Sequence, residues 1–174
     1  MKALRITSLS LLFLSVLLGG SSLAAEVGTP TRPNAGFDLM KGLTGTWEMK
    51  GKDGVTTIRY EIVSEGTALM ETISHPGGKA AMVTVYHPDG DQLMMTHFCG
   101  ANNQPRMRCA KPAADGKSLT FEFVDCSNLP TPETGHMHGL VIRLDDADHL
   151  TQEWTWMEKG KAATETFHCE RKKS

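Results

Sequence analysis

Histidines, cysteines and paired aromatics are the residues of this chain with the most chemistry to offer. His97-Phe98-Cys99 sets an imidazole and a thiol two residues apart, on one face if the segment is extended. Both groups ligate soft or borderline metals; the plainer reading is a hydrogen-bonded histidine beside a cysteine. His136-Met137-His138 repeats the spacing with two imidazoles, a pattern that suits Zn or Cu. Asn102-Asn103-Gln104-Pro105-Arg106 offers amides and a guanidinium that could fix a carboxylate or a polar ligand head, although Asn-Asn with Pro is also ordinary turn chemistry. Trp154-Thr155-Trp156 puts two indoles on one face together with Leu150 and Gln152, able to line an apolar cavity or to fill a core.

Catalytic patterns are missing from the same inventory. The sequence has no G-x-S-x-G, no H-E-x-x-H and no phosphate-cradling glycine loop. Asp145, Asp146 and Asp148 cluster where a turn is expected, which is most simply a solvated turn and otherwise a weak Ca²⁺ site. No cofactor is specified. With 18 basic and 20 acidic residues among 174, the chain lacks the basic excess of a nucleic-acid binder. Its 40% hydrophobic content is too high for a disordered chain, and its length suits one domain.

Elements must position these groups, and the first segment is not one of them. Residues 1–24 combine Lys2 and Arg5, an apolar run from about Ile6 to Leu18, and a small-x-small ending at Ser22-Leu23-Ala24. Those three parts read as a secretory signal peptide, with an apolar run shorter than the ~20 residues of a membrane span. The expected destination is the periplasm or the exterior, with no membrane span after cleavage. Residues 25–34, rich in Pro and polar side chains, read as a tether, and residues 35–174 as the domain. All four cysteines, Cys99, Cys109, Cys126 and Cys169, fall in that domain. An even count in an exported protein suggests two disulfides, of unknown connectivity.

Phe37, Met40 and Leu43 are spaced as on a short amphipathic helix. Beyond them the helical period ends. Turn signals such as Asp53-Gly54, Pro76-Gly77-Gly78, Asp89-Gly90, Asp115-Gly116 and Lys159-Gly160 cut the chain into ten β-rich runs. These are roughly 43–51, 55–63, 67–74, 80–87, 91–99, 105–111, 118–125, 137–144, 149–158 and 161–171. Hairpins without intervening helices imply an all-β, antiparallel up-and-down sheet, and closure into a barrel would remove its two edges. A barrel of eight to ten strands has an interior that can hold one small ligand. A two-residue turn at Asp89-Gly90 would set Tyr86 opposite Leu93, Thr84 opposite Met95 and Met82 opposite His97. One face would then carry Tyr, Thr, Met, His and Cys, a mixture suited to a ligand cavity. The longer loop Asp125–Gly135, with two prolines, is a candidate portal lid.

The segment Leu43–Glu48 (LTGTWE), after its short helix, resembles the opening of lipocalin-like (calycin) barrels. The resemblance implies that Trp47 closes one end of the barrel beneath an arginine of the last strand. Arg171, in Phe167-His168-Cys169-Glu170-Arg171, is the matching residue, and guanidinium–indole stacking is the physical basis. Met94–Met107 (MMTHFCGANNQPRM) and Gly135–His138 (GHMH) are similar to stretches of a group of exported bacterial barrel proteins, a resemblance that implies no particular activity. Related ten-stranded barrels of the nitrobindin type bind heme through a histidine. This chain departs from their glycine-rich first strand, reading Glu48-Met49-Lys50-Gly51 after the tryptophan.

The expectation is therefore an exported binding protein that holds a small hydrophobic or amphipathic molecule. Tyr86, Met95, His97, Arg106, His138, Trp154 and Trp156 are the candidate ligand contacts. The competing expectations are a heme or metal site using His97, His136 or His138, an enzyme with a histidine in the barrel cavity, and a scaffold that binds a protein on its outer surface.

Overall fold

The computed structural model describes residues 33–173. The signal-peptide reading of residues 1–24 and most of the tether lie outside them. Helix α1 spans Ala35–Lys41, and ten strands follow: β1 Gly45–Gly51, β2 Gly54–Val63, β3 Ala68–Ser74, β4 Ala80–Asp89, β5 Gln92–Phe98, β6 Gln104–Cys109, β7 Ser118–Ser127, β8 His136–Leu144, β9 His149–Glu158 and β10 Lys161–Arg171. Each strand pairs antiparallel with its sequence neighbours. β10 returns to β1, through Trp47 opposite Arg171 and Glu48 opposite Glu170, and closes the barrel. A closed antiparallel ten-stranded barrel after one short helix fits a calycin-like or lipocalin-like fold.

One end of the barrel is plugged. Asn34 accepts from the Phe37 amide and so caps α1, while its own amide group donates to the carbonyls of Gly90 and Gln92. The last residue of the expected tether is thus a buried part of the fold. Phe37, Met40 and Leu43 turn inward beneath the barrel and pack with Trp47. The Trp47 indole N–H donates to the Leu43 carbonyl at 2.8 Å, and the Arg171 guanidinium lies 4.1 Å from the indole centroid. Arg171 also donates to the carbonyls of Gly42, Thr44 and Ala147. Gly45 has φ +124°, and a Cβ there would meet the guanidinium at 3.2 Å, so the first strand can start under Arg171 only with glycine.

The opposite end carries the hairpin turns β1–β2, β3–β4, β5–β6, β7–β8 and β9–β10 and forms the mouth. Between the ends, inward and outward residues alternate along the strands except at bulges in β4, β7 and β8. Leu69, Tyr86, Leu93, Met95, Met107, Leu119, Phe121, Leu140, Ile142 and Leu150 fill the plugged half as a solid core.

Three expectations are corrected. The β4–β5 turn is Gly90-Asp91, with Asp89 opposite Gln92, so Tyr86 faces Met95 and Thr84 faces His97. The register moves by two residues, an even step that keeps every side chain on its expected face. The loop expected from Asp125 to Gly135 is shorter, because Asp125, Cys126 and Ser127 continue β7 as partners of Arg106, Pro105 and Gln104. The two expected disulfides are absent: Cys99, Cys109, Cys126 and Cys169 are free thiols. No two of them are opposed in the strand register. Cys99 and Cys126 are separated by the whole of β6, and Cys169 stands four strands from Cys109 around the barrel.

Candidate functional site

In the mouth half the core gives way to a cavity of about 120 Å³. Its walls are almost entirely apolar: Met49, Ile58, Ile73, Met82, Met137, Trp154 and Phe167, with Thr56 and His75 towards the opening and His97 and Gln152 inside. These residues come in from eight strands, with His75 from the turn after β3.

His97 is the polar feature of this space. It is 1% exposed. Its Nδ1 lies 2.9 Å from the Thr84 hydroxyl, because β4 and β5 set those residues directly opposite one another. Its ring packs against the Trp154 indole, with centroids 4.8 Å apart. Nε2 has no hydrogen-bond partner. Among the described residues, it and the Asn103 side-chain oxygen are the buried side-chain polar atoms left unpaired. Burial pushes the imidazole down to about 4, so the ring is neutral at pH 7.

A polar network forms the cavity floor. Glu71 is fully buried on β3 between Leu69 and Ile73. Tyr86 donates to one carboxylate oxygen at 2.5 Å and the Gln152 amide to the other at 3.1 Å. The same amide donates to the Tyr60 hydroxyl at 2.6 Å. The Trp154 N–H donates to the Gln152 oxygen at 3.1 Å. Burial raises Glu71 above the usual carboxylate range, against the opposing pull of the donors Tyr86, Gln152 and Tyr60. Gln152 thereby fixes Trp154, and Trp154 in turn backs His97.

The candidate ligand contacts separate in space. His97 and Trp154 meet in the cavity wall. Tyr86 and Met95 point inward but lie in the solid core, Tyr86 with its hydroxyl on Glu71. Arg106 points outward and forms a two-pronged ion pair with Asp125, so it cannot address a ligand in the barrel. The physical reason is alternation: the inward neighbours of Arg106 on β6 are Pro105 and Met107. Trp156 lies at the mouth with its indole against Gly135, where a Cβ would stand 2.2 Å from the ring.

His138 is also at the mouth, stacked on Phe123 with centroids 4.4 Å apart. His136 Nδ1 lies 2.8 Å from the Thr134 carbonyl and must donate to it. In a neutral ring that leaves His136 Nε2 as an acceptor, 3.0 Å from His138 Nδ1, which is then the donor. The two imidazoles are therefore committed to each other rather than open towards a shared metal. Among the described residues no group of three or more His, Cys, Asp or Glu is arranged to hold a metal ion. A heme does not fit either, since a tetrapyrrole is several times larger than a cavity that is close in size to the roughly 150 Å³ sites that take benzene. The partner of the cavity histidine is a hydroxyl, Thr84 Oγ1 on His97 Nδ1, and not a carboxylate.

Glu71, Gln152 and Tyr60 were not among the candidates. The signal for Glu71 was available: Ala68–Ser74 reads ALMETIS, and its acid falls in phase with Leu69 and Ile73. Gln152 likewise falls in phase with Leu150 and Trp154. Compared with known proteins, the chain matches no family model and no curated relative.

Proposed function

We propose that this protein is an exported small-molecule-binding barrel of lipocalin-like type, which takes a small, mostly apolar ligand into the mouth half and anchors it on His97. The observation that carries this reading is Nε2 of His97, a buried unpaired polar atom in an otherwise apolar cavity. An unmet hydrogen bond in a buried group costs about 1–3 kcal/mol, and a ligand atom that supplies it recovers that loss. The volume of about 120 Å³ suits a single ring, or the ring end of a longer amphiphile whose remainder leaves past His75. Export is proposed from the three-part pattern of residues 1–24. The loop after β7, tied to the β5–β6 turn by hydrogen bonds from Asn103 to the Gly135 carbonyl and from Asn128 to the Asn102 carbonyl, is the proposed lid over the mouth.

Methyl NMR of the methionines, with toluene, phenol and benzyl alcohol as probes, tests the reading. Saturable shifts centred on Met49, Met82 and Met137, with accompanying changes in tryptophan fluorescence, are the expected result. Shifts confined to outward-facing residues, or no saturation at millimolar probe, would overturn it.

A further inference from the structure

Thr84 and His97 stand directly opposite one another on β4 and β5, and both are enclosed by the barrel. Their contact, Oγ1 to Nδ1 at 2.9 Å, is the only side-chain hydrogen bond of either residue among the described residues. A hydroxyl rotates and can donate or accept, and Nδ1 of a neutral ring does either according to where the ring proton sits. The same contact therefore serves two states. With the hydroxyl donating to Nδ1, the ring proton is on Nε2 and the cavity meets a donor. With Nδ1–H donating to the hydroxyl, Nε2 faces the cavity as an acceptor. His136 has no such freedom, because its Nδ1 faces the Thr134 carbonyl, which only accepts. The His97 ring itself is held, packed on the Trp154 indole with centroids 4.8 Å apart. The position of Nε2 is fixed and its proton is not.

We infer that the Thr84–His97 pair is an adaptable anchor whose tautomer the ligand sets, and that the cavity takes neutral, ring-sized molecules with one polar atom, whether that atom donates (N–H, O–H) or accepts (C=O). This rests on the binding reading above and adds the class of ligand. The change moves one proton: one ring nitrogen releases a proton to water, the other takes one up, and the ring stays neutral. Gln152, the other polar group inside, is already committed, its amide to Tyr60 and Glu71 and its oxygen to Trp154. His97 is thus left to anchor a single polar atom, with apolar walls around the rest of the ligand. Charged ligands are disfavoured, because the imidazole is neutral at pH 7 and an ion buried without a counter-charge keeps the cost of its lost hydration.

Three five-membered rings test this on the protein labelled with ¹⁵N at pH 7: pyrrole, whose N–H only donates, cyclopentanone, which only accepts, and cyclopentane, which does neither. Methionine methyl shifts read binding. Long-range ¹H–¹⁵N spectra, with His97 assigned by its contact with Trp154, read which ring nitrogen is protonated. The expected result is a proton on Nδ1 in the pyrrole complex and on Nε2 in the cyclopentanone complex. His97→Phe should weaken both polar rings about tenfold relative to cyclopentane, the effect of one hydrogen bond. Thr84→Val removes the acceptor for Nδ1–H, and a buried N–H without an acceptor is the less tolerated defect. That variant should therefore stay protonated on Nε2 in both complexes and lose pyrrole about tenfold against cyclopentanone; Thr84→Ser should restore the change of tautomer. The same tautomer in both complexes of the unaltered protein overturns the adaptable anchor while the cavity reading stands, and this comparison needs no variant to fold. An equal loss of both polar rings in Thr84→Val, or no loss of either in His97→Phe, overturns it as well. If none of the three rings gives saturable methyl shifts, the cavity reading falls and the anchor falls with it.

Discussion

His97 carries a thermodynamic consequence as well as a functional one. Its folded-state value of about 4 lies below the ordinary histidine value of 6.5 because burial disfavours the charged ring. Above pH 6.5 the ring is neutral in the folded and the unfolded chain and costs nothing. As pH falls towards 4, the unfolded chain takes up a proton that the folded one resists, and stability is lost. The shift corresponds to on the order of 3 kcal/mol between pH 7 and pH 4. Glu71, raised by burial, works in the opposite sense, destabilising as pH rises above 4.5. Urea unfolding at pH 7 and pH 4.5, compared between the unaltered protein and His97→Phe, cancels the Glu71 contribution. The unaltered protein should lose more stability on acidification than the variant; equal losses would show that His97 is not the source. Strand period groups His97 with Leu93 and Met95, and Trp154 with Leu150 and Gln152, but does not say which face is inward, because Gln92–Cys99 carries apolar residues in both phases; only the mixed chemistry of the His97 face suggests a cavity. Arg106 faces outward because β6 alternates without a break and its inward phase is Pro105, Met107 and Cys109; the register shift beside it belongs to β7, where Val124 is the extra residue, and the sequence does not show which phase is inward.

Single elements follow the same division. Glycine-bearing turns are legible because positive φ is needed at Gly54, Gly90, Gly116 and Gly160. The offset within a turn is not, since Asp89-Gly90 and Gly90-Asp91 both offer good turn residues and only the strand pairing selects Gly90-Asp91. The bulges near Ile73, Arg106 and His138 have no local sequence mark. The Leu43–Glu48 segment and the last strand act as one closing device. Arg171 joins β10 to the carbonyls of Gly42, Thr44 and Ala147 while covering Trp47. Arg171→Met keeps much of the stem but removes three charge-assisted hydrogen bonds and the stacking on the indole. A loss of about 2–3 kcal/mol is expected, read as a lower urea midpoint with an altered near-UV signal from Trp47. An unchanged midpoint would mean that β1 and β10 close through their backbone pairing alone.

At the scale of the whole molecule, the plugged half is a dry core that specifies the barrel, and the mouth half is left underfilled. That split explains how a chain with 6% aromatic residues can be stable, because most of its largest buried side chains gather at one end. It also bears on the cysteines. A domain of about 140 residues buries enough apolar surface to fold without covalent staples, so an even cysteine count is weaker evidence for disulfides here than in a much smaller domain. The thiols divide with the barrel. Cys109 and Cys169 are buried at the plugged half, and burial together with the nearby Glu71 pushes the Cys169 thiol up to about 12. Cys99 and Cys126 are half-exposed near the mouth. Reactivity follows thiolate content and access, so a thiol-specific reagent at pH 8 should label those two in the folded protein. It should reach Cys109 and Cys169 only after unfolding, for a total of four. The labelling sites are read by peptide mass spectrometry on protein prepared without reductant. Four reactive thiols in the unfolded chain mean that the barrel relies on packing even in an oxidising compartment. Fewer than four would mean that the strands at the mouth move far enough to bring Cys99 and Cys126 together, and the proposed lid would then be anchored by a covalent bond across β6.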